Sequence, residues 1–331
     1  MFDNISFSRF NAYFTVQKPL ELPPYTGSAF RGVLGHAMRK VRYGMKKQCE
    51  ACPVRPQCRY ENLYAYLFES PRDHPYLVKA DLSQNIRQEK NYPRPFVLDP
   101  PAGGAWKAGD MLCLSFTLVG RAISCFPFMA CALGQMNSIG FGAAQGNIFL
   151  EAITDGFPSE DGGETVIYDG ETGVIVGPGQ IFDFNMMTEW AARRLYSEGH
   201  AERFCVLFLT PFRFKDRGSL GRSLSFNVFM RNVLRRLTFL SVHSPLSFDI
   251  NFEDILDRAR SVKIVTSDLR WYDWQRYSAR QKTKMNLGGL VGEVVFSGEL
   301  DEFLPYVRLC EFLNVGKSCT FGLGKYELKI D

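Results

Sequence analysis

Histidine is scarce in this chain, with four among 331 residues, and long apolar runs are missing altogether. A membrane-spanning helix needs about 18 or more consecutive apolar residues, and none is found. The opening Met-Phe-Asp-Asn-Ile-Ser has neither the basic start nor the apolar core of a secretion signal, so a cytoplasmic protein is expected. Strong charge imbalance is lacking too: a net charge of +4 is too small to announce a nucleic-acid partner by itself. The glycine-rich stretches do not end in the GK[ST] of a phosphate-binding P-loop, and no strand leads into a GxGxxG, which argues against the common nucleotide folds. With 46% hydrophobic and 22% charged residues, there is enough apolar material for two ordinary cores.

What is present is a unit that occurs twice. Residues 316–326 read Gly-Lys-Ser-Cys-Thr-Phe-Gly-Leu-Gly-Lys-Tyr, a glycine-rich loop that follows a helix-like segment (301–313) and enters a last strand (326–330). Residues 128–139 likewise read as a helix, followed by Gly140-Phe141-Gly142 and a strand over 147–153. Each unit opens with a strand, 5–16 and 204–212, and continues into a helix, 27–43 and 225–241. Strand, helix, strands, helix, strand is the order of a ferredoxin-like βαββαβ domain. The expectation is therefore an α+β protein of two tandem ferredoxin-like domains, 1–155 and 203–331. Hairpins and a helix over 156–202 would join them.

Charge is distributed unevenly. From Arg203 to Arg236 basic residues, among them Arg231 and Arg235, face a single acid, and Arg276, Arg280, Lys282 and Lys284 surround Trp271, Tyr272, Trp274 and Tyr277. Cations interleaved with aromatics suit RNA, whose phosphates they neutralise and whose bases they stack. In the last loop, Gly322 and Gly324 would let backbone approach a phosphate chain beside Lys317 and Lys325.

The blocks Leu209 to Lys215, Arg235-Arg236-Leu237, Trp271 to Gln281, Gly288 to Gly292 and the terminal glycine loop together resemble the CRISPR repeat-RNA-processing endoribonucleases, the sixth Cas protein family of the RAMP superfamily. That resemblance implies CRISPR repeat RNA as partner, with other Cas proteins of an interference complex as further candidates. It also implies metal-independent cleavage that leaves a 2′,3′-cyclic phosphate and a 5′-hydroxyl. Two other readings remain open: a non-catalytic repeat-RNA-binding subunit, and a small metal or redox protein.

Attack by an internal 2′-hydroxyl needs a base, an acid for the leaving 5′-oxygen and a donor for the phosphorane charge. Histidine suits the first two roles because its ordinary pKa is about 6.5. His200 and His243 read as capping or surface residues and His74 as a loop residue, whereas His36 lies on the first helix with Lys40 one turn on. A tyrosine, a histidine and a lysine around this helix resemble the catalytic set of some family members, which carries catalytic roles to Tyr25, His36 and Lys40. Arg31 on the same helix is expected to contact phosphate.

After that helix, an insertion near 45–70 holds Cys49, Cys52 and Cys58 in a C-x2-C-x5-C pattern. Clustered cytosolic thiols read as ligands for a structural zinc or an iron–sulfur cluster, with His74 or Cys113 as a distant fourth ligand. No cofactor is expected for catalysis.

Overall fold

The computed structural model describes residues 5–43, 59–71, 74–77, 92–141, 145–157, 162–216, 219–244, 252–278 and 283–331. The first strand, β1 (Ser6–Lys18), alternates as a half-buried strand should: Phe10, Ala12, Phe14 and Val16 enter the core while Asn11, Tyr13 and Thr15 line the other face. It is joined by β2 (Phe96–Asp99), β3 (Met111–Val119), β4 (Asn147–Asp155) and β5 (Val166–Asp169) in the order β2-β3-β1-β4-β5. All pairings are antiparallel, with Phe10 opposite Phe116 and Ala12 opposite Ile153. Two helices, α1 (Gly27–Tyr43) and α2 (Phe126–Gly134), cover one face. Setting aside β5, the order is that of a ferredoxin-like domain.

The second half repeats it. β6 (Arg203–Phe212), α4 (Phe226–Leu240), β7 (Lys263–Tyr272), β8 (Gly289–Ser297), α5 (Leu304–Leu313) and β9 (Tyr326–Ile330) form a sheet ordered β7-β8-β6-β9 beneath two helices. Between the halves, α3 (Phe184–Glu198) starts where the Asp183 carboxylate accepts the Met186 N–H at 2.9 Å, a helix cap. The tandem ferredoxin-like fold expected from the sequence is the fold observed.

Boundaries differ in places for identifiable reasons. The helix expected over 128–139 begins at Phe126, because Pro127 suits the first helical turn, and its end tightens into a 3-10 turn, Gln135–Ser138. The stretch read as a joining segment supplies β5 to the first sheet and α3 to the second core. The halves also share core residues. Phe7 of β1 stacks on Phe312 with ring centroids 5.5 Å apart, and Val242 after α4 sits in the first core.

His243 is a clear correction. It is fully buried, not a surface or capping residue, and it links the domains: its Nε2 lies 2.7 Å from the Pro93 carbonyl and its Nδ1 3.2 Å from the Tyr66 hydroxyl. Both contacts are satisfied by a neutral ring that donates from Nε2 and accepts at Nδ1. Burial, and secondarily the Arg236 cation, hold its pKa down at about 3.

Candidate active site

The apolar period of α1 decides which of its side chains face outward. Phe30, Val33, Leu34, Ala37 and Met38 recur at the i, i+3, i+4, i+7, i+8 spacing and are all buried. Gly32, His36, Arg39 and Lys40 are thereby left on the exposed face. A groove of about 640 Å³ runs along it, with Ser28, Gly32, His36 and Lys40 on one wall and Ser138, Gly140 and Gln145 on the other. Even a Cβ at Gly32 would meet nothing within 4 Å, so the groove is open beside the histidine.

The imidazole and the ammonium project from adjacent turns into this groove. Lys40 Nζ donates to Ser138 Oγ at 2.7 Å. A base and a cation thus face one open channel, and that pair can take a proton from a hydroxyl and hold charge on a phosphate.

Tyr25 is placed elsewhere. It precedes α1, whose first residue, Gly27, is already about 14 Å from His36 along the helix axis. Its hydroxyl donates to the Phe321 carbonyl at 3.0 Å and its ring packs on Trp274 at 4.3 Å. Burial pushes its phenol well above the ordinary tyrosine range. The tyrosine therefore joins the first helix to the last loop, and the structure does not bring it to His36 and Lys40. Tyr25→Phe should cost about 1 kcal/mol of stability, the worth of one hydrogen bond, and leave the single-turnover rate within about threefold. Urea unfolding and RNA cleavage by the same preparation check it, and a hundredfold rate loss would restore Tyr25 to the chemistry.

The terminal glycine loop serves the same junction. Gly322 and Gly324 take φ of 76° and 72° and are buried; a Cβ would lie 2.7 Å from the Leu98 carbonyl oxygen at the first and 1.8 Å from the Val315 carbonyl oxygen at the second. The close approach expected toward RNA is made instead to the protein's own backbone. Thr210 Oγ1 donates to the Gly322 carbonyl at 2.7 Å and accepts the Lys325 N–H at 2.9 Å. Lys325 is correspondingly committed: its Nζ lies 3.5 Å from Asp99, which also pairs with Arg9 at 2.8 Å. Lys317 is exposed.

Arg31 is sandwiched, its guanidinium 4.3 Å from the centre of the Phe68 ring and 4.6 Å from that of Phe321. Arg231 and Arg235 share an exposed face of α4, one turn apart, with Arg235 over the Phe239 ring at 5.0 Å. Arg222 similarly covers Trp271 at 4.7 Å. Of Arg276 only the backbone is described, in a hairpin strand opposite Met285, and Arg280 lies outside the described residues.

Cys49, Cys52 and Cys58 also lie outside the described residues, and among the described ones no group of three or more His, Cys, Asp and Glu is placed to hold a metal. His74 is buried with Nε2 2.9 Å from the Asn62 carbonyl and Nδ1 accepting the Tyr76 N–H, so both ring nitrogens are used. Cys113 sits on β3 beside Ser115. His200 is exposed and pairs with Asp301 at 2.5 Å.

Sequence reasoning missed Ser138 and Gln145. The only hint lay in the Gly140-Phe141-Gly142 echo, read as a loop before a strand; in the structure the residues around it wall the groove, and Phe141 packs on Phe30 of α1 at 5.0 Å.

Comparison with known proteins agrees with this architecture. A family model described as an N-terminal domain, AF_1859_N, matches residues 5–180, and the model of the CRISPR-associated endoribonuclease Cas6 matches residues 206–326. A protein of Archaeoglobus fulgidus described as uncharacterized is 23% identical over 316 residues, 93% of each chain. Among solved structures, a Cas6 product complex is similar with a TM-score of 0.55 and 14% identity, covering 97% of this chain and 100% of that one. A partial Cas6-RT-Cas1–Cas2 complex is similar with a TM-score of 0.60 and 13% identity, covering 99% of this chain. This chain spans 47% of the length of the matched chain in that complex.

Proposed function

Because this chain belongs to the Cas6 family of CRISPR-associated endoribonucleases, we propose that it cuts precursor CRISPR RNA within its repeats in the groove along α1. The observation that carries this reading is the placement of His36 and Lys40 together in that groove, the one histidine and one lysine among the described residues that line it. The step is metal-independent. His36 takes the proton of the 2′-hydroxyl, whose oxygen forms the new bond to phosphorus. The bond from phosphorus to the 5′-oxygen breaks, Lys40 holds the phosphorane charge, and the leaving oxygen is protonated by Lys40 or by water. A 2′,3′-cyclic phosphate and a 5′-hydroxyl remain. Incubating the protein with a repeat RNA in excess EDTA tests the whole reading. Cleavage to those ends supports it, and tight binding without cleavage would make the chain a binding subunit instead.

Binding is assigned to cations outside the groove as well, first Arg231 and Arg235 on their shared face of α4. Each phosphate contact to single-stranded RNA contributes about −0.7 to the slope of log affinity against log salt. Arg231→Ala and Arg235→Ala should each flatten that slope by about that amount, measured by filter binding from low to moderate salt. Slopes unchanged in both variants would remove this face from the interface.

A further inference from the structure

We infer that Ser138 is a positioning residue that holds the Lys40 ammonium over the groove. This rests on the nuclease reading above, but the contact itself is a structural observation. Ser138 Oγ donates its own proton to the Gln135 carbonyl at 2.7 Å, so its oxygen is presented as an acceptor. Lys40 Nζ lies 2.7 Å from that oxygen and 3.5 Å from the Ser138 carbonyl. The turn carrying Ser138 is anchored in two ways. Met136 is fully buried in the first core, and the Ile139 N–H donates to the Met136 carbonyl at 3.1 Å. Phe141, three residues on, is pinned against Phe30 of α1 itself.

An exposed lysine sweeps a wide volume, because its four-carbon stem has large rotamer freedom. Ser138 restricts that sweep. One of the three ammonium N–H groups goes to the serine and two remain to meet a phosphate. On the described wall facing His36 and Lys40, Ser138 carries the only hydroxyl, and its proton is committed to the Gln135 carbonyl, which makes it an acceptor for Lys40 and a poor donor to RNA.

A double-mutant cycle on single-turnover cleavage in the full chain tests this. Lys40→Ala should slow cleavage by about 10- to 100-fold, in line with loss of a charge-stabilising donor. Ser138→Ala should slow it by about fivefold, the effect of one modest hydrogen bond, with RNA affinity within about threefold. Adding Ser138→Ala to Lys40→Ala should slow it no further, and Ser138→Thr, which keeps the hydroxyl, should cut within about twofold of wild type. A second readout does not depend on catalysis: acylation of Lys40, followed by peptide mass spectrometry, should rise about fivefold in Ser138→Ala as the ammonium is released. Multiplicative rate losses would overturn the inference, because Ser138 would then act on RNA directly. Unchanged Lys40 labelling would overturn it too. A wild type that never cuts defeats the nuclease reading alone, and labelling then decides whether Ser138 holds Lys40.

Discussion

Replacing His36 by alanine should slow single-turnover cleavage of repeat RNA by about 100- to 10,000-fold, the usual cost of losing a general base or acid. Affinity for the RNA should change by less than about tenfold, because phosphate contacts made elsewhere carry binding. The side chain is exposed on α1 and its neighbours in the groove are Gly32, Val33 and Lys40, so truncation leaves no buried cavity and the fold should be retained. A drop in rate with unchanged unfolding midpoint and binding therefore isolates chemistry. Added imidazole should recover part of the rate, since the open groove beside Gly32 admits a ring of that size. His74 and His243 are poor substitutes as bases: both are buried with their ring nitrogens engaged, and His200, though exposed, pairs with Asp301. A His36→Ala protein that cuts at the wild-type rate would move the base to a residue that is not a histidine.

The second large effect is on stability in acid. His243 is held neutral at the domain junction, with a folded pKa of about 3 against an ordinary unfolded value of about 6.5. A histidine shifted down in this way contributes stability that is fully present above about pH 6.5 and is lost as the pH falls toward the folded value. Between pH 7.5 and 5 this one group should remove about 2 kcal/mol. The groups that face it are Tyr66, which shares its Nδ1, the Arg236 cation, which disfavours protonation, and His74 beyond Tyr66. His243→Gln keeps a donor for the Pro93 carbonyl and removes the titration. It should lower stability at pH 7.5 yet lose about 2 kcal/mol less than wild type on going to pH 5. Urea midpoints at the two pH values give the comparison, which cancels the carboxylates common to both proteins. Parallel losses would mean that His243 ionises in the folded state as easily as in the unfolded one.

The features legible in the sequence are those set by local periodicity. The alternation in β1 and the helical period of α1 are each contained in a single stretch of chain. The face on which His36 and Lys40 emerge therefore follows from the positions of Phe30, Val33, Leu34, Ala37 and Met38 alone. The βαββαβ order was legible twice for the same reason, and the ferredoxin strand order followed from it. Partners far apart in the chain were not legible. Tyr25 stands at the entrance of the helix that carries His36, yet its hydroxyl is taken by Phe321, 296 residues away, and the length of α1 separates it from the groove. Gly322 and Gly324 are right for close approach of backbone, but only packing decides that the approaching backbone is that of Leu98 and Val315. His243 follows a helix in a way that suggests a cap, and it is buried because Tyr66 and Pro93 of the other domain close over it. Ser138 carries no signal by itself, and becomes a groove residue when a core-anchored turn sets its hydroxyl beside Lys40. Local sequence determines which face a side chain leaves from; the domain junction and the loops packed across it determine what it meets, because those contacts are selected by burial over the whole chain and not by spacing along it.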